Sequence, residues 1–196
     1  MDKLVEEKYW DKYYSEHERL EPSFFAKFCL KNYFKDRRFL TELGCGNGRD
    51  SVFFAENGLF VLAMDNSDVV DKIKSINHLI FDKRDFTEPF LAFSDYIYSR
   101  FSLHSITEED EYNVLISVHD NLITNGLFCI EVRSVNDELS FNEQDHYRRF
   151  INKEKLEKRL TTIGFKIIYS EEDRGFAPFG CLDPMVIRII AKKCTM

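Results

Sequence analysis

The sequence predicts an open, mostly parallel α/β sheet of seven strands, with helices on both faces and an antiparallel strand near the C-terminus. Three observations carry this. Short apolar runs alternate with amphipathic stretches from residue 39 onward. Those runs are rich in Ile, Val, Leu and Phe with little polar alternation, as strands covered on both faces require. Near the end two such runs follow each other without a helix between them, and parallel neighbours need a longer crossover.

The strand candidates are residues 39–43, 59–65, 79–81, 96–99, 127–132, 165–169 and 185–191. A helix over 50–57 stops at Gly58, a natural C′ glycine. Ser67 is placed to cap a helix running towards Ile76, with Val69, Val70, Ile73 and Ile76 on one face. Thr107 precedes Glu108, Glu109 and Asp110, and acids in a first turn complement the helix dipole. That helix would bury Val114, Leu115, Val118 and Leu122 and end before Asn125-Gly126. Asn152 opens another, with Leu156, Leu160 and Ile163 facing inward and Gly164 closing it. The loop 173–184 separates the last two strands.

With 196 residues the chain has room for one domain, and no linker or repeat divides it. Hydrophobic residues at 44% and charged residues at 31% are the balance of a globular protein with a real core. Nineteen phenylalanines and nine tyrosines make that core aromatic. A net charge of −7 argues against a nucleic-acid or anionic-membrane partner. No window approaches the length of an apolar membrane span, and the first twenty residues lack a secretory core. Cys29, Cys45, Cys129, Cys181 and Cys194 include no C-x-x-C pair, so they read as reduced thiols in a cytoplasmic protein and not as a metal site.

The most informative stretch is Phe39-Leu-Thr-Glu-Leu-Gly-Cys-Gly-Asn-Gly48. A strand enters three alternating glycines and passes directly into a helix, at the edge of an open sheet where ligands bind. A dinucleotide site wants G-x-G-x-x-G, yet the third position is Arg49 and Gly48 comes one residue early. Glu42 would repel a pyrophosphate. The same carboxylate favours a ligand with positive charge, such as S-adenosylmethionine with its sulfonium and ammonium. The electrostatics choose the methyl donor.

Glu42-Leu-Gly-Cys-Gly-Asn-Gly48 resembles the first signature of class I S-adenosylmethionine-dependent methyltransferases, and the resemblance extends from about Tyr9 to Lys192. It implies a Rossmann-like fold and a donor site built from Glu42, Gly44, Cys45, Gly46, Asn47 and Gly48. By the same resemblance Asp65, with Asn66 beside it, accepts from the ribose hydroxyls. Asp85 lies near the adenine amino group, Phe86 lies against the ring, and Ser99 ends the fourth strand. The segment Tyr9-Trp10-Asp11-Lys12-Tyr13-Tyr14 resembles the helix that many small-molecule members fold over the donor, with Trp10 and Tyr14 as contacts. Aromatics at that spacing also simply pack a helix against a sheet. Residues 1–38 are thus a helical cap segment, and residues 39–196 form the core, with a polar insertion around 133–150.

Arg100, His104, Arg133, His146, Tyr147, Arg148 and Arg149 gather beside the fourth and fifth strand ends, where an acceptor would sit. Arginine suits carboxylate and phosphate recognition. Arg148 and Arg149 read equally as a solvated pair near a helix start. His104 is a candidate general base, or a structural histidine donating to a backbone carbonyl. The runs around Arg100, Glu131 and His146 resemble a methyltransferase subgroup of bacterial surface-polysaccharide biosynthesis. That implies a small anionic acceptor methylated on oxygen: a sugar, a sugar nucleotide or a phosphoramidate-type intermediate. The alternatives are a nitrogen or sulfur methyltransferase of the detoxification or tellurite-resistance type, and a donor-binding regulatory module without turnover. A monomer or a homodimer is expected.

Overall fold

The structure, a computed structural model, describes Tyr9, Lys12, Tyr13 and residues 21–35, 38–73, 76–137 and 147–194. In chain order its elements are helix α1 (Phe24–Asn32), strand β1 (Phe39–Leu43), α2 (Arg49–Glu56), β2 (Phe60–Asp65), β3 (Leu79–Lys83), β4 (Ser94–Arg100), α3 (Glu108–Asn121), β5 (Leu122–Arg133), α4 (Lys153–Ile163), β6 (Phe165–Asp173) and β7 (Val186–Lys193). The strands form one seven-stranded sheet in the order β3-β2-β1-β4-β5-β7-β6. The pairs from β3 through β5 are parallel, and β7 runs antiparallel to both β5 and β6. The strand order reverses on either side of β1, which opens a crevice at its carboxyl end.

Helix starts follow their capping residues. Ser23 accepts from the N–H of Ala26, Thr107 from Asp110 and Asn152 from Lys155. Gly164 closes α4 in the left-handed region at φ +116°. Strand alternation sends Tyr96, Tyr98, Cys129 and Ile190 to the face covered by α1 and α2. Ile97, Phe128, Ile130, Val132, Ile187 and Ile189 go to the face covered by α3 and α4. The first face is aromatic: Phe25 stacks on Tyr98 at 5.2 Å and Phe34 on Tyr96 at 4.3 Å. Helix α1 is therefore part of the core, with Phe25, Ala26 and Cys29 fully buried. Among the described residues no helix is long and apolar enough to cross a membrane.

Two boundaries depart from the sequence reading. The helix expected from Ser67 to Ile76 is reduced to one 3-10 turn, Val70–Lys72, in the described part of that segment. The N–H and hydroxyl of Ser67 both donate to Oδ1 of Asp65, at 3.0 and 2.6 Å, so the hydroxyl is turned back to β2 instead of capping a helix. Helix α3 ends at Asn121, one residue before the expected last apolar position, and Leu122 already pairs with Ser94 on β4. The Asn125-Gly126 turn lies inside the long β5, where Asn125 takes φ +67° and the register with β4 shifts.

Candidate donor and acceptor site

Strand β1 leads into the glycine turn at the crevice. Gly44 has φ +73°, and a Cβ there would lie 2.6 Å from Cβ of Ser102 and 3.5 Å from the Phe86 ring. Only glycine lets the turn approach the chain leaving β4 so closely. Gly46, at φ +53°, donates its N–H to Oδ2 of Asp65 at 2.7 Å. The turn is thereby fastened to the end of β2, and Oδ2, with one hydrogen bond fewer than Oδ1, keeps a second lone pair for a ligand. Gly48 serves packing: a Cβ on it would meet the Phe81 ring at 2.8 Å. Cys45 is buried, and burial pushes its thiol well above its ordinary pKa.

Glu42 is buried one residue before the end of β1 and accepts from the Ser51 hydroxyl. Burial, then the charge of Asp50, pushes its carboxyl well above the usual carboxylate range. Asp50 is itself held by the N–H and hydroxyl of Ser23, at 2.8 and 2.7 Å, and by the Tyr98 hydroxyl at 2.9 Å. Two buried acids thus lie side by side, and a ligand cation would relieve both.

A cavity of about 530 Å³ opens over this floor. Glu42, Gly44, Cys45, Asn47, Arg49 and Asp50 line it. Arg100, Phe101, Arg133 and Arg148, from the ends of β4 and β5 and the insertion, line it as well, and Tyr9 and Tyr13 belong to its wall. The segment from Phe176 to Pro184 completes it, because antiparallel β7 begins at the same sheet edge where β6 ends, Asp173 pairing with Val186.

The arginines are more engaged than the sequence implies. Arg100, Glu131 and Arg188 are direct register partners across β4, β5 and β7. Glu131 is fully buried and accepts from Nε of Arg100 at 2.9 Å and from Nε of Arg188 at 2.7 Å. Burial works against the Arg100 charge, but Glu131 and Asp50 outweigh it and raise its pKa. Arg133 pairs with the buried Asp137 at 3.0 Å. Burial and the neighbouring Arg133 lower the pKa of Arg148. Arg149 departs from the expected solvated pair: it bonds the carbonyls of Ile106 and Leu103 and the Glu111 carboxylate, fastening the insertion to α3.

His104 is buried in the 3-10 turn Leu103–Ser105, outside the cavity lining. Its Nδ1 accepts the backbone N–H of Arg133 at 3.1 Å, which places the proton of a neutral ring on Nε2. The lone pair that a general base needs is already in use, so the geometry makes His104 a pin between the chain after β4 and the end of β5.

Ser99 is buried and shares a 2.6 Å hydrogen bond with Ser102. Oδ1 of Asp85 accepts from the N–H and hydroxyl of Thr87, which shapes the loop after β3 beside the half-buried Phe86. Asn66 and Tyr147 are half-buried and outside the cavity lining. Trp10, Tyr14 and His146 lie outside the described residues. Sequence reasoning missed Asp50, Phe101, Phe176 and Phe179. The Gly-Phe-Ala-Pro-Phe-Gly run at 175–180, apolar and turn-rich between two strands, was the available signal.

The seven-stranded sheet, with its antiparallel β7, is a Rossmann-like fold that the chain shares with solved structures of S-adenosylmethionine-dependent methyltransferases. No protein-family profile and no curated relative matches the sequence. Among solved structures, the chain is similar to 1,6-didemethyltoxoflavin-N1-methyltransferase from Burkholderia thailandensis, bound to 1,6-didemethyltoxoflavin and S-adenosylhomocysteine. The TM-score is 0.79 at 19% identity, covering 98% of this chain and 89% of that one. A S-adenosylmethionine-dependent methyltransferase from Methanosarcina mazei gives 0.73 at 15% identity, over 85% and 97% of the two chains. The glycopeptide N-methyltransferase MtfA, complexed with S-adenosylmethionine, gives 0.69 at 14% identity, over 88% and 95%.

Proposed function

We propose that the protein is a S-adenosylmethionine-dependent methyltransferase acting on a small anionic molecule. One observation carries this reading: a single cavity is lined both by the buried acids Glu42 and Asp50 beside the glycine turn and by Arg100, Arg133 and Arg148. The residues suit the donor. Glu42 and Asp50 would hold its cationic end, the turn at Gly44 and Gly46 lets backbone approach, and Oδ2 of Asp65 would accept from the diol. Asp85 and Phe86 would take the base, which the approach of the Phe86 ring to Gly44 supports, and Ser102, bonded to Ser99, lies beside the same turn.

When bound, the donor supplies an electrophilic methyl group on a sulfonium. The chain's part is to position and desolvate. Arg100 and Arg133 would orient the acceptor at the ends of β4 and β5 while the aromatic wall excludes water. Among the described residues no histidine lines the cavity. A sugar-type acceptor with an anionic group fits this reading, since Glu21, Ser23, Lys27 and Asn47 of the lining offer its hydroxyls polar partners. A nitrogen acceptor is the second reading; two of the similar structures are N-methyltransferases.

The test is incubation of small-metabolite pools with the donor and mass spectrometry for products heavier by one methyl group. A methylated product, with S-adenosylhomocysteine formed in equal amount, is expected. Binding of S-adenosylhomocysteine without any product would leave the regulatory module standing instead.

A further inference from the structure

We propose that the ligand held in the cavity by Arg100 and Arg133 is a planar, conjugated anion, with its charge on those two arginines and its ring among the aromatic side chains of the wall. Calling that ligand the methyl acceptor rests on the methyltransferase reading; the recognition itself does not.

Phe101 is the first observation. It follows β4 directly and takes φ +58°, a left-handed conformation that a bulky side chain rarely adopts. Its N–H is held by the Glu131 carbonyl at 2.8 Å, so the surrounding structure enforces the conformation. The ring lines the cavity, with the Arg100 guanidinium carbon 4.3 Å and that of Arg133 5.9 Å from its centre. The His104 ring also stacks on it, at 5.3 Å with 26° between the planes, so the role of Phe101 is to fix two guanidinium groups beside it.

The second observation is what those groups have left to give. Arg100 bonds Glu131 through Nε, and Arg133 bonds Asp137 through one Nη. Among the described residues these are their side-chain hydrogen bonds, so both Nη groups of Arg100, and Nε and the other Nη of Arg133, remain for a ligand edge. Two planar forks recognise paired anionic oxygens, or an oxygen beside a ring nitrogen, better than a single point charge.

The third is the rest of the wall. Tyr9 and Tyr13 stack at 6.4 Å with 19° between their planes, and Phe24, Phe176 and Phe179 add three more rings. Flat rings and guanidinium planes match a flat π-system better than a saturated ring.

The experiment is calorimetric titration of the full chain, free and saturated with S-adenosylhomocysteine, with four probes. These are 2-naphthoate, its saturated analogue decahydro-2-naphthoate, neutral 2-naphthamide and glucuronate. We expect 2-naphthoate to bind at least about tenfold more tightly than each of the others. Arg133→Gln should lose about tenfold on 2-naphthoate and little on 2-naphthamide. Phe101→Gly and Phe101→Asn, both tolerant of positive φ, should weaken 2-naphthoate while S-adenosylhomocysteine affinity stays unchanged. Equal binding of the saturated acid or of glucuronate overturns planarity, and equal binding of the amide overturns the charge. Failure of S-adenosylhomocysteine to bind, with the probe order intact, sinks the methyltransferase reading alone.

Discussion

Glu131 and Arg188 stand directly opposite one another on the antiparallel strands β5 and β7, joined by a 2.7 Å hydrogen bond from Nε. The other Glu131 oxygen takes Nε of Arg100 on β4. One buried carboxylate therefore holds a cavity arginine and, through Arg188, the loop that carries Phe176, whose carbonyl accepts from Arg188 at 2.8 Å.

Glu131→Gln should be among the most damaging conservative changes in the chain. It leaves two guanidinium groups on one neutral amide, and breaking a buried pair costs about 3–5 kcal/mol. A Tm lower by roughly 6–20 °C is expected from thermal melts of a domain this size. A Tm within a degree of the parent would show that the two arginines find other partners.

Asp65 joins turn, strand and donor. Asp65→Ala removes the acceptor of Gly46, and of Ser67, as well as the proposed diol contact. Loss of hydrogen bonds to a charged group is worth about 1.5–3 kcal/mol, so the S-adenosylhomocysteine Kd should rise by roughly 10- to 150-fold in calorimetry.

Glu42 sets a pH dependence. Its folded carboxyl keeps its proton to higher pH than in the unfolded chain, so stability falls as pH rises from the ordinary carboxylate value through the raised one. Glu42→Gln removes that slope and should raise Tm at neutral pH. A donor cation beside Glu42 favours its ionised form, so donor affinity should increase with pH across the same window, with proton release on binding. Titrations in buffers of different ionisation enthalpy measure that proton, and the Gln variant should release none from this position.

His104→Asn separates a base from a pin. An amide oxygen can accept from the Arg133 N–H in place of Nδ1, but it abstracts no proton. Methyl transfer from labelled donor into a small-metabolite pool should persist within about tenfold, whereas loss of a general base costs about 10²–10⁴. A decline on the larger scale, in a variant that still binds S-adenosylhomocysteine, would restore the catalytic role.

The sequence by itself determined what depends on neighbours along the chain. Apolar runs marked the strands, Thr107 and Asn152 marked helix starts, and the glycine turn after Glu42 marked the crevice. Each is a local preference of a few consecutive residues. It misread 67–76 because Ser67 has two uses, as a cap or as a donor to Asp65, and periodicity does not say which bond forms. Tertiary structure decided which charges are free. Arg100, Glu131 and Arg188 are far apart in sequence and become partners only through the register of three strands; Arg149 is claimed by α3. It also made the 176–184 loop a cavity wall, since an antiparallel last strand must begin at the edge where the parallel strands end. Pairing across a sheet is set by the packing of both its faces together, and no single stretch of sequence contains that information.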